Sequence, residues 1–560
     1  MALAVVACSS GDDSTPASGS TTAAVSAQDA LATATPIKHL VVIFSENRSF
    51  DHYFGTYPTA QNPLNEPAFN AASGTTVPNN LTQGTLLTNN PNTLNPLNNA
   101  TFAGSGINPF RLDRSQANTN GQSHDYTKEQ QAYDNGAADL FPAKTGSNGA
   151  GSGTKFGTPG LVMGYYDGNT VTALWNYAQN FAMSDNMYTD TYGPSTPGAL
   201  EVVSGQTNGA IPANGAAQAD NVIADGAGGY TMNGDSDPVG DVCSSTSTSD
   251  LVQMSSNNKN IGDLLNAQGI TWGGFMGGFN LTTVNANGTK GCTRSTYSSV
   301  LAANSTDYVP HHNWFQYYPT TQNPAHTRPS STAVIGATDP LDSTATPVHH
   351  QYDVNDFFTA VSAGNFPSVS YIKAPAVGDA HPGNSDPLDE QAFITNVINF
   401  LQQQPDWKNT AVIVTYDDSD GWYDHAYAAP TTSSFDAVHD QLNGSGSCTS
   451  GAATQGVGVT GSVVNGRCGP GTRVPLLVIS PYAKVNYIDH TRITQASVVQ
   501  FVEDNWLGGK RIGNASHDAT TGSLMSLFNF TPATPAPAVY IDPTTGLKVA
   551  TPPVVNTNLS

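Results

Sequence analysis

The chain has 560 residues, with 54 Gly and 36 Pro against only 20 Lys plus Arg, and a formal net charge of −23. This length exceeds an ordinary single core, so we expect one large domain with insertions or two domains, with much of the chain in loops. The negative charge argues against nucleic acid or an anionic membrane surface as the main partner. An anionic substrate would therefore need a local positive centre, such as a metal ion, histidines or a helix N-terminus.

Residues 1–35 have the composition of an export signal followed by a flexible tether. The short apolar run of MALAVVACSS ends at Cys8, as at a bacterial lipoprotein processing site, although the usual basic segment before it is missing. The alternative is a truncated ordinary signal peptide. We therefore expect an exported bacterial protein, which would be periplasmic, an outer-membrane lipoprotein or secreted. Its link to a membrane would be a lipid anchor at Cys8.

Four other cysteines follow Cys8 in the sequence. An even number in an exported protein predicts two disulfides, most simply between sequence neighbours, as Cys243–Cys292 and Cys448–Cys468. None of these cysteines has the spacing of zinc ligands. No apolar run after Cys8 reaches the roughly 18 residues of a membrane-spanning helix.

Predicted strands and helices alternate along residues 36–530, which we interpret as one folded domain followed by a tail over residues 531–560. HLVVIF predicts the first strand, and residues of about 57–122 and 205–350, rich in Asn, Thr and Gly, predict loop insertions. Helices are predicted at TVTALWNYAQNFA, IGDLLNAQ, YDVNDFFTAVSAG, DEQAFITNVINFLQQQ and TQASVVQFVEDNW, and further strands at TWGGFMGG, SVSYIKAP, NTAVIVTYDD and RVPLLVISP. This alternation predicts a three-layer α/β/α sandwich around a largely parallel sheet.

Polar side chains follow several predicted strands, where ligands bind in open α/β sheets. Glu46 and Asn47 follow the first strand, and Asp417 and Asp418 follow NTAVIVTY. Single acids at strand ends are most often turn residues or helix N-caps. Two such pairs on two strands, in a chain with few charges, favour a divalent cation with oxygen ligands, such as Mg²⁺, Ca²⁺ or Mn²⁺. Acids and histidines at other strand ends add Asp379, His381, Asp420, Asp424 and His425.

Ser195 lies in TYGPSTPGAL, where Gly193 and Pro194 predict a tight turn and Pro197 suits the first turn of a helix. A serine at a helix N-terminus is placed to meet a phosphate, because backbone N–H groups and the helix dipole attract anions there. It is equally a common N-cap residue. The local sequence therefore leaves the nucleophile and the cap open for Ser195.

Histidines in four short segments could serve a phosphate-handling site, because imidazole can both bind phosphate oxygens and donate a proton near pH 6. A histidine among aromatic residues is more often a packing or hydrogen-bonding residue. The segments contain His124, the pair His311 and His312, the pair His349 and His350, and His381.

Five motifs in this order, ENRSFDHYFG, GPSTPG, HPGNSDPLDEQ, TYDDSDGWYDH and RVPLLVISPYAK, resemble a bacterial phosphoesterase family. That family holds acid phosphatases and non-specific phospholipases C and belongs to the alkaline phosphatase superfamily. The similarity spans roughly residues 36–508, and the first and fourth motifs are the most specific. The resemblance implies an alkaline-phosphatase-like catalytic domain with long loop insertions.

The resemblance also implies the members of the site. One divalent metal ion would be held by Glu46, Asn47, Ser195, Asp417 and Asp418, with Ser195 as nucleophile. The phosphoryl group would be surrounded by Asn47, His124, His311, His312 and His381. A protonated His312 or His381 would donate to the leaving alcohol, which predicts an acidic pH optimum. No role is implied for His349, His350, Asp420 or His425, and Arg48 is expected to contact Asp51, a backbone carbonyl or a phosphate oxygen.

The implied activity is a metal-dependent acid phosphatase that hydrolyses phosphate monoesters, and also diesters, through a phosphoserine. HHNWFQYY resembles the acid phosphatase branch, and the phospholipase branch more often has threonine as nucleophile. The alternative is a phospholipase C acting on phospholipid head groups. A non-catalytic surface lipoprotein that binds ligands through its Asn- and Thr-rich loops is the third interpretation, and the intact acids and Ser195 weigh against it.

Overall fold

The structure, a computed structural model, describes residues 28–101, 107–147, 149–343 and 348–560. Cys8 lies outside these residues, so the predicted lipid anchor stays a prediction. Within the part of the chain that is described, no helix has the length and apolar character needed to cross a bilayer.

A sheet of eight strands forms the centre of the molecule. Its strands in chain order are β1 (His39–Ser45), β2 (Ala182–Ser184), β3 (Trp272–Met276), β4 (Gln351–Asp353), β5 (Val369–Lys373), β6 (Thr410–Tyr416), β7 (Leu476–Ile479) and β8 (Tyr487–Asp489). Across the sheet the order is β4-β3-β5-β1-β6-β7-β2-β8. Neighbours pair in parallel except at β7, which is antiparallel to both β6 and β2.

The middle strands consist of almost continuous β-branched and other apolar residues, which suits strands covered on both faces. β1 and β6 are buried at all seven of their residues and pair from His39 with Thr410 to Ser45 with Tyr416. On its other side β1 pairs with β5, for example Val42 with Tyr371. The sheet therefore brings the ends of β5, β1 and β6 to one edge.

The α-helices are α1 (Phe50–Phe54), α2 (Pro91–Leu94), α3 (Pro96–Thr101), α4 (Tyr126–Tyr133), α5 (Phe141–Lys144), α6 (Thr172–Asn180), α7 (Ser195–Ser204), α8 (Ile261–Gln268), α9 (Val354–Ser362), α10 (Pro387–Gln402) and α11 (Ala496–Trp506).

Two tyrosines of the central sheet show that helices lie on both of its faces. The Tyr371 hydroxyl donates to the carbonyl of Val202 in α7. The Tyr416 hydroxyl donates to Glu390 in α10. In the sheet, Tyr371 pairs with Val42 and Tyr416 pairs with Ser45. Val42 and Ser45 are three residues apart on β1, so their side chains, and those of the two tyrosines, point to opposite faces of the sheet. Helices therefore cover both faces, which confirms the predicted α/β sandwich.

Short strands, helices and turns form the two predicted insertions, with α2 and α3 in the first and α8 in the second. The second contains three small sheets, formed by Ala210–Pro212 with Asp237–Pro238 and Leu251–Met254, by Val222–Ala224 with Tyr230–Met232, and by Ser295–Ser298 with Ala303–Thr306. The predicted disulfides Cys243–Cys292 and Cys448–Cys468 are both formed. The sequence did not predict the short strands β2, β4 and β8, which have three residues each and lie at or near the sheet edges.

The last residues of the chain, predicted to be a tail, pack along α10. Asn399 donates to the carbonyl of Ile541, and Gln402 donates to the carbonyl of Val539. The Ser560 hydroxyl donates to Asp353 at the end of β4. The C-terminal segment therefore lies on the helical layer that contains α10.

Candidate active site

Backbone hydrogen bonds link the ends of three central strands. The N–H of Glu46 donates to the carbonyl of Asp379 at 2.8 Å, and that of Arg48 donates to the carbonyl of Asp418 at 2.9 Å. Between them, the N–H of Asn47 donates to Oδ1 of Asp417 at 2.9 Å. Asn47 has a φ of 59°, a left-handed conformation that asparagine adopts more readily than most residues. The turn after β1 thus places Glu46 and Asn47 beside Asp417 and Asp418.

Ser195 is the first residue of α7, and its hydroxyl lies among these strand ends. Its Oγ is 2.9 Å from Oε2 of Glu46, 3.2 Å from Oδ2 of Asp418 and 3.5 Å from Oδ1 of Asn47. Close approach of α7 to β6 depends on Gly198, because a Cβ there would lie 2.2 Å from the carbonyl oxygen of Asp417. The glycine of the GPSTPG motif thus lets α7 pack closely on the end of β6, which places the Ser195 hydroxyl beside Glu46 and Asp418.

The acids at this edge are buried without enough hydrogen-bond donors. One hydroxyl proton of Ser195 faces three acceptor oxygens, and Oδ2 of Asp417 accepts no hydrogen bond from any described residue. Burial and the neighbouring carboxylates raise the pKa of both Asp417 and Asp418 well above its usual value. A divalent cation would relieve this repulsion, since carboxylate, amide and hydroxyl oxygens are the ligands that hard cations prefer. The residues present therefore fit the metal site implied for Glu46, Asn47, Ser195, Asp417 and Asp418.

A buried lysine contacts the second carboxylate oxygen of Glu46, the one that Ser195 does not contact. Lys373, the last residue of β5, pairs with Oε1 of Glu46, and the ammonium is 1% exposed. Burial lowers its pKa, but Glu46, Asp417 and Asp379 outweigh this and raise it, which keeps the ammonium charged. Sequence reasoning missed Lys373. The signal was available, because a lysine in the apolar strand SVSYIKAP must find an acid.

Four histidines surround the space above Ser195. Nδ1 of His312 is 3.1 Å from Oε1 of Glu46 and 3.6 Å from Oδ2 of Asp379. The His312 ring is 4.6 Å from that of His311 and 6.2 Å from that of His381, between centroids, and His124 lies 6.4 Å from His381. The structure thus brings all four predicted histidines together.

The pKa values of these four histidines shift in opposite directions. Burial, followed by the charge of His311, lowers the pKa of His312 well below its usual value, and burial followed by His124 lowers that of His381 to about 4. Burial also acts on His124 and His311, but Asp420 and Asp235 raise the pKa of His124, and Asp235 and Asp237 raise that of His311. His124 and His311 therefore hold a proton more readily than His312 and His381.

Two further acids support the site and were not predicted. Glu129 accepts from the N–H of Gly193 at 3.1 Å and from the Ser419 hydroxyl, and burial raises its pKa to about 7. Asp235 accepts from the N–H of Thr196 at 2.9 Å, in the first turn of α7. Both acids hold the segment around Ser195, and both lie outside any recognisable motif.

The residues without an assigned role fall into two groups. Asp420 contacts Nδ1 of His124 at 3.3 Å, so it orients a histidine of the site. The others make contacts elsewhere: His425 with Asp51 at 2.6 Å, His349 with Asp342 at 3.5 Å, and His350 with the carbonyl of Trp272 at 3.0 Å. Arg48 donates to the carbonyl of Ala380 and contacts His52, rather than Asp51.

A serine at a helix N-terminus, with acids from two strand ends and a ring of histidines, on a largely parallel sheet, defines an α/β protein built to handle a phosphate group. The chain belongs to the phosphoesterase family, whose sequence profile matches residues 37–507.

Relatives of the chain include phospholipases C. It is 24% identical over 509 residues to a non-hemolytic phospholipase C of Pseudomonas aeruginosa, covering 88% of this chain and 57% of the relative, so it spans little more than half of that protein's length. It is 24% identical to phospholipase C A of Mycobacterium tuberculosis, covering 90% of this chain and 78% of the relative. Among solved structures, a protein in the alkaline phosphatase superfamily from Vibrio parahaemolyticus is 11% identical, with a TM-score of 0.27 and 75% of each chain covered.

Proposed function

We propose that this protein is a metal-dependent phosphoric ester hydrolase that cleaves phosphate monoesters through a phosphoserine at Ser195. The observation that carries the proposal is the position of the Ser195 hydroxyl, at the N-terminus of α7 and within 2.9 to 3.5 Å of Glu46, Asp418 and Asn47. A bound divalent cation would supply Lewis acidity and charge neutralisation there. Membership of the phosphoesterase family supports the reaction class.

The first step is attack of the Ser195 oxygen on phosphorus as the ester bond to the leaving alcohol breaks. The Ser195 hydroxyl lies at the N-terminus of α7, where the helix dipole favours the negative charge of a phosphoryl group. The N–H of Thr196 is not free to contribute, because it donates to Asp235, and Pro197 has no N–H. Glu46 and Asp418 are the acceptors nearest to the Ser195 proton. Lys373 keeps part of the negative charge of Glu46 neutralised, which eases the approach of an anionic substrate.

The leaving oxygen needs a proton, and His124 and His311 are the histidines that carry one. His124 is oriented by Asp420 through Nδ1, and its Nε2 is 3.4 Å from the side-chain amide of Asn47. His311 is held by Asp237 at 3.4 Å. After the alcohol departs, the deprotonated histidine accepts a proton from water, the water oxygen attacks phosphorus, and the bond to Ser195 breaks. The Ser195 oxygen takes back its proton from the acid that had accepted it, and inorganic phosphate is released. This requirement for a charged histidine supports an acidic pH optimum.

The space beside His311 favours small polar esters over lipids. A cavity of about 880 Å³ is lined there mainly by polar and small residues, including Lys155, Asn304, Ser305 and Asn384. The net charge of −23 also opposes approach to an anionic lipid surface. Phospholipase C activity remains the second candidate, because relatives of the chain carry that name. We further propose that the protein is exported, which its two disulfides support.

Rates of hydrolysis of p-nitrophenyl phosphate and p-nitrophenylphosphorylcholine from pH 4 to 9 test this function. For the wild type we expect faster cleavage of the monoester, with an acidic optimum. Ser195→Ala should lower kcat by at least about 10³-fold, as removal of a nucleophile does. The variant should keep the melting temperature of the wild type, because alanine fits at the first position of a helix.

The exposed Ser249 provides the matched control, and Ser249→Ala should keep full activity. Trapping with acid after incubation with ³²P-labelled substrate should label the wild type and not Ser195→Ala. A faster rate on the choline diester would select phospholipase C. Near-normal turnover by Ser195→Ala would exclude the phosphoserine.

A further inference from the structure

A second cluster of metal-ligating residues lies near the other end of α7. Asp190 precedes the helix, Glu201 lies within it, and His517 begins a short 3₁₀ helix that is hydrogen-bonded to Gly205, directly after α7. Nδ1 of His517 is 3.2 Å from Oδ1 of Asp190 and 3.7 Å from Oε2 of Glu201. One donor atom from each residue lies within 4.8 Å of the other two. Glu201 follows Ser195 by six residues, or about 9 Å along the helix, so this cluster is separate from the active site.

Glu201 has no hydrogen-bond donor among the described residues that explains its burial. Its side chain is completely buried, and neither carboxylate oxygen accepts a hydrogen bond from any described residue. A buried carboxylate normally has hydrogen-bond donors or an ion-pair partner. The nearby Arg467 acts on Glu201 through its charge but makes no hydrogen bond to it. Its terminal nitrogens donate to the carbonyls of Val457, Ala515 and Gly205, and its Nε has no hydrogen-bond partner among the described residues. Both oxygens of Glu201 are therefore available to a cation.

The other two members of the cluster are held in place by the protein. Oδ2 of Asp190 accepts from the N–H of Ala496 at 2.8 Å, which leaves Oδ1 directed at His517. The backbone N–H of His517 donates to the carbonyl of Gly205 at the end of α7, at 2.8 Å. Nδ1 of His517 makes no hydrogen bond with the described residues. The donor atoms thus have fixed positions and unused lone pairs.

A cavity connects the cluster to solvent. It has a volume of about 300 Å³ and is lined by Asp190, Arg492 and His517, together with threonines such as Thr494 and Thr521. Asp190 and His517 therefore face the cavity, and Glu201 is not among its lining residues. Such a space lets a hydrated ion enter and leaves room for water as a further ligand.

We propose that Asp190, Glu201 and His517 bind a second divalent metal ion, of the Zn²⁺ or Mn²⁺ class, which anchors the helix that carries Ser195. Two carboxylates and one imidazole suit these transition metals better than Mg²⁺ or Ca²⁺, which prefer oxygen ligands alone. The ion would tie the segment before α7 to the body of α7 and to the 3₁₀ helix at His517. Its role is structural, and Asp190, Glu201 and His517 are positioning residues.

The number of bound Zn²⁺ or Mn²⁺ ions per chain, measured by elemental analysis after equilibrium dialysis of the full-length protein, tests this site. We expect two ions in the wild type and one in each of Glu201→Gln, His517→Asn and Asp417→Asn. X-ray absorption of Zn²⁺-loaded Asp417→Asn should show imidazole scattering, because the active-site ligands proposed above are all oxygens. The double variant Asp417→Asn, His517→Asn should lose that signal.

His490→Asn is the matched control, since His490 contacts Asp185 at 2.9 Å but has no second carboxylate, and it should leave two ions. Metal should raise the melting temperature of Asp417→Asn but not that of the double variant. An unchanged ion count in both folded Glu201→Gln and folded His517→Asn would overturn the proposal. One ion in the wild type, kept in Asp417→Asn but lost in Glu201→Gln, would support this site and refute the active-site metal instead.

Discussion

Two buried groups of acids follow the ends of β1 and β6, and they differ in how their charge is compensated. At the active site, Asp417 and Asp418 lie against Glu46 with Ser195 as a shared donor. A few residues further along each segment, Asp51 and Asp424 share Arg473, whose guanidinium contacts them at 3.1 and 3.0 Å. His425 adds a second partner for Asp51, with its Nδ1 at 2.6 Å from Oδ2.

The pKa values of the two groups follow this difference. Burial would raise the pKa of Asp51, but His425 and Arg473 hold it below its usual range. For Asp424, burial outweighs Arg473 and raises the pKa to about 6. For Asp417 and Asp418, burial and like charges act together, and the pKa lies well above its usual value. The fold pairs Asp51 and Asp424 directly with Arg473, whereas Asp417 and Asp418 have no such direct cationic partner, which is the pattern that we propose for metal ligands.

The largest difference between the two groups of acids is expected when a member of each is substituted and phosphate hydrolysis is measured. Asp417→Asn should lower kcat/KM by about 10²–10³-fold, the cost of losing one electrostatic group at a reacting phosphate. Its stability in a metal-free buffer should stay equal to that of the wild type or rise, because one uncompensated charge is removed. Assays of phosphate release and thermal unfolding in the presence of a chelator check the two expectations together.

A suitable control for Asp417→Asn is Asp353→Asn, at the end of β4. Asp353 caps α9 through the N–H of Asn355, and asparagine is an equally good cap. This control should keep its activity. A marked loss of metal-free stability in Asp417→Asn would show that Asp417 is structural after all.

The second-largest effect is expected on the free energy of unfolding, when the partner of Asp51 and Asp424 is removed. Arg473→Met removes the partner of Asp51 and Asp424 and leaves two buried carboxylates, which should lower the free energy of unfolding by about 3–5 kcal/mol. The remaining folded protein should retain activity within tenfold, because Arg473 contacts none of the proposed ligands. Urea unfolding followed by fluorescence measures the change.

For comparison, Lys128→Met breaks the exposed pair with Asp125, where both side chains are 48% exposed. An exposed pair contributes less than about 1 kcal/mol. If Arg473→Met and Lys128→Met lowered stability equally, the distinction between the two groups of acids would fail.

Much of the fold could be predicted because its signals are local. Predicted elements such as IGDLLNAQ and DEQAFITNVINFLQQQ correspond to α8 and α10, whose apolar periodicity and capping residues define them. β2, β4 and β8 were missed because three residues are too few to show a period. Their pairing depends on partners far away in sequence, for example Ala182 with Val478 and with Tyr487.

The candidate site was predictable to the extent that its members lie in motifs. Glu46, Ser195 and Asp418 are identified by strand ends and by the resemblance, and the structure brings them together. Lys373 and Glu129 act through contacts across 327 and 64 residues of sequence, which no motif encodes. The proton donor was predicted at His312 or His381, and this stays a prediction. His124 and His311 are the donors that we propose, because acids in other loops raise their pKa.

The smallest effect concerns a buried acid whose direct hydrogen-bond donors are neutral hydroxyls, with the charge of Arg48 acting on it from nearby. Glu390 on α10 accepts from the hydroxyls of Tyr53, at 2.8 Å, and Tyr416, at 2.5 Å. Burial nevertheless raises the pKa of Glu390 to about 7. Its carboxylate is therefore less well compensated than that of Asp51, whose pKa is lowered. Hydrogen bonds from neutral groups thus compensate a buried carboxylate only in part.

Since the pKa of Glu390 is raised in the folded state, the carboxylate of Glu390 binds a proton more tightly in the folded protein than in the unfolded chain. Stability should therefore increase as the pH falls through about 7, by about 0.8 kcal/mol from pH 8.5 to 6.5 for this one group. Glu390→Gln keeps an acceptor for the tyrosines but cannot titrate, so its free energy of unfolding should depend less steeply on pH over that window. Urea unfolding of both proteins at pH 6.5, 7.5 and 8.5 measures the difference. Parallel curves would mean that Glu390 stays ionised, and that two hydroxyl donors compensate a buried carboxylate as well as an arginine does.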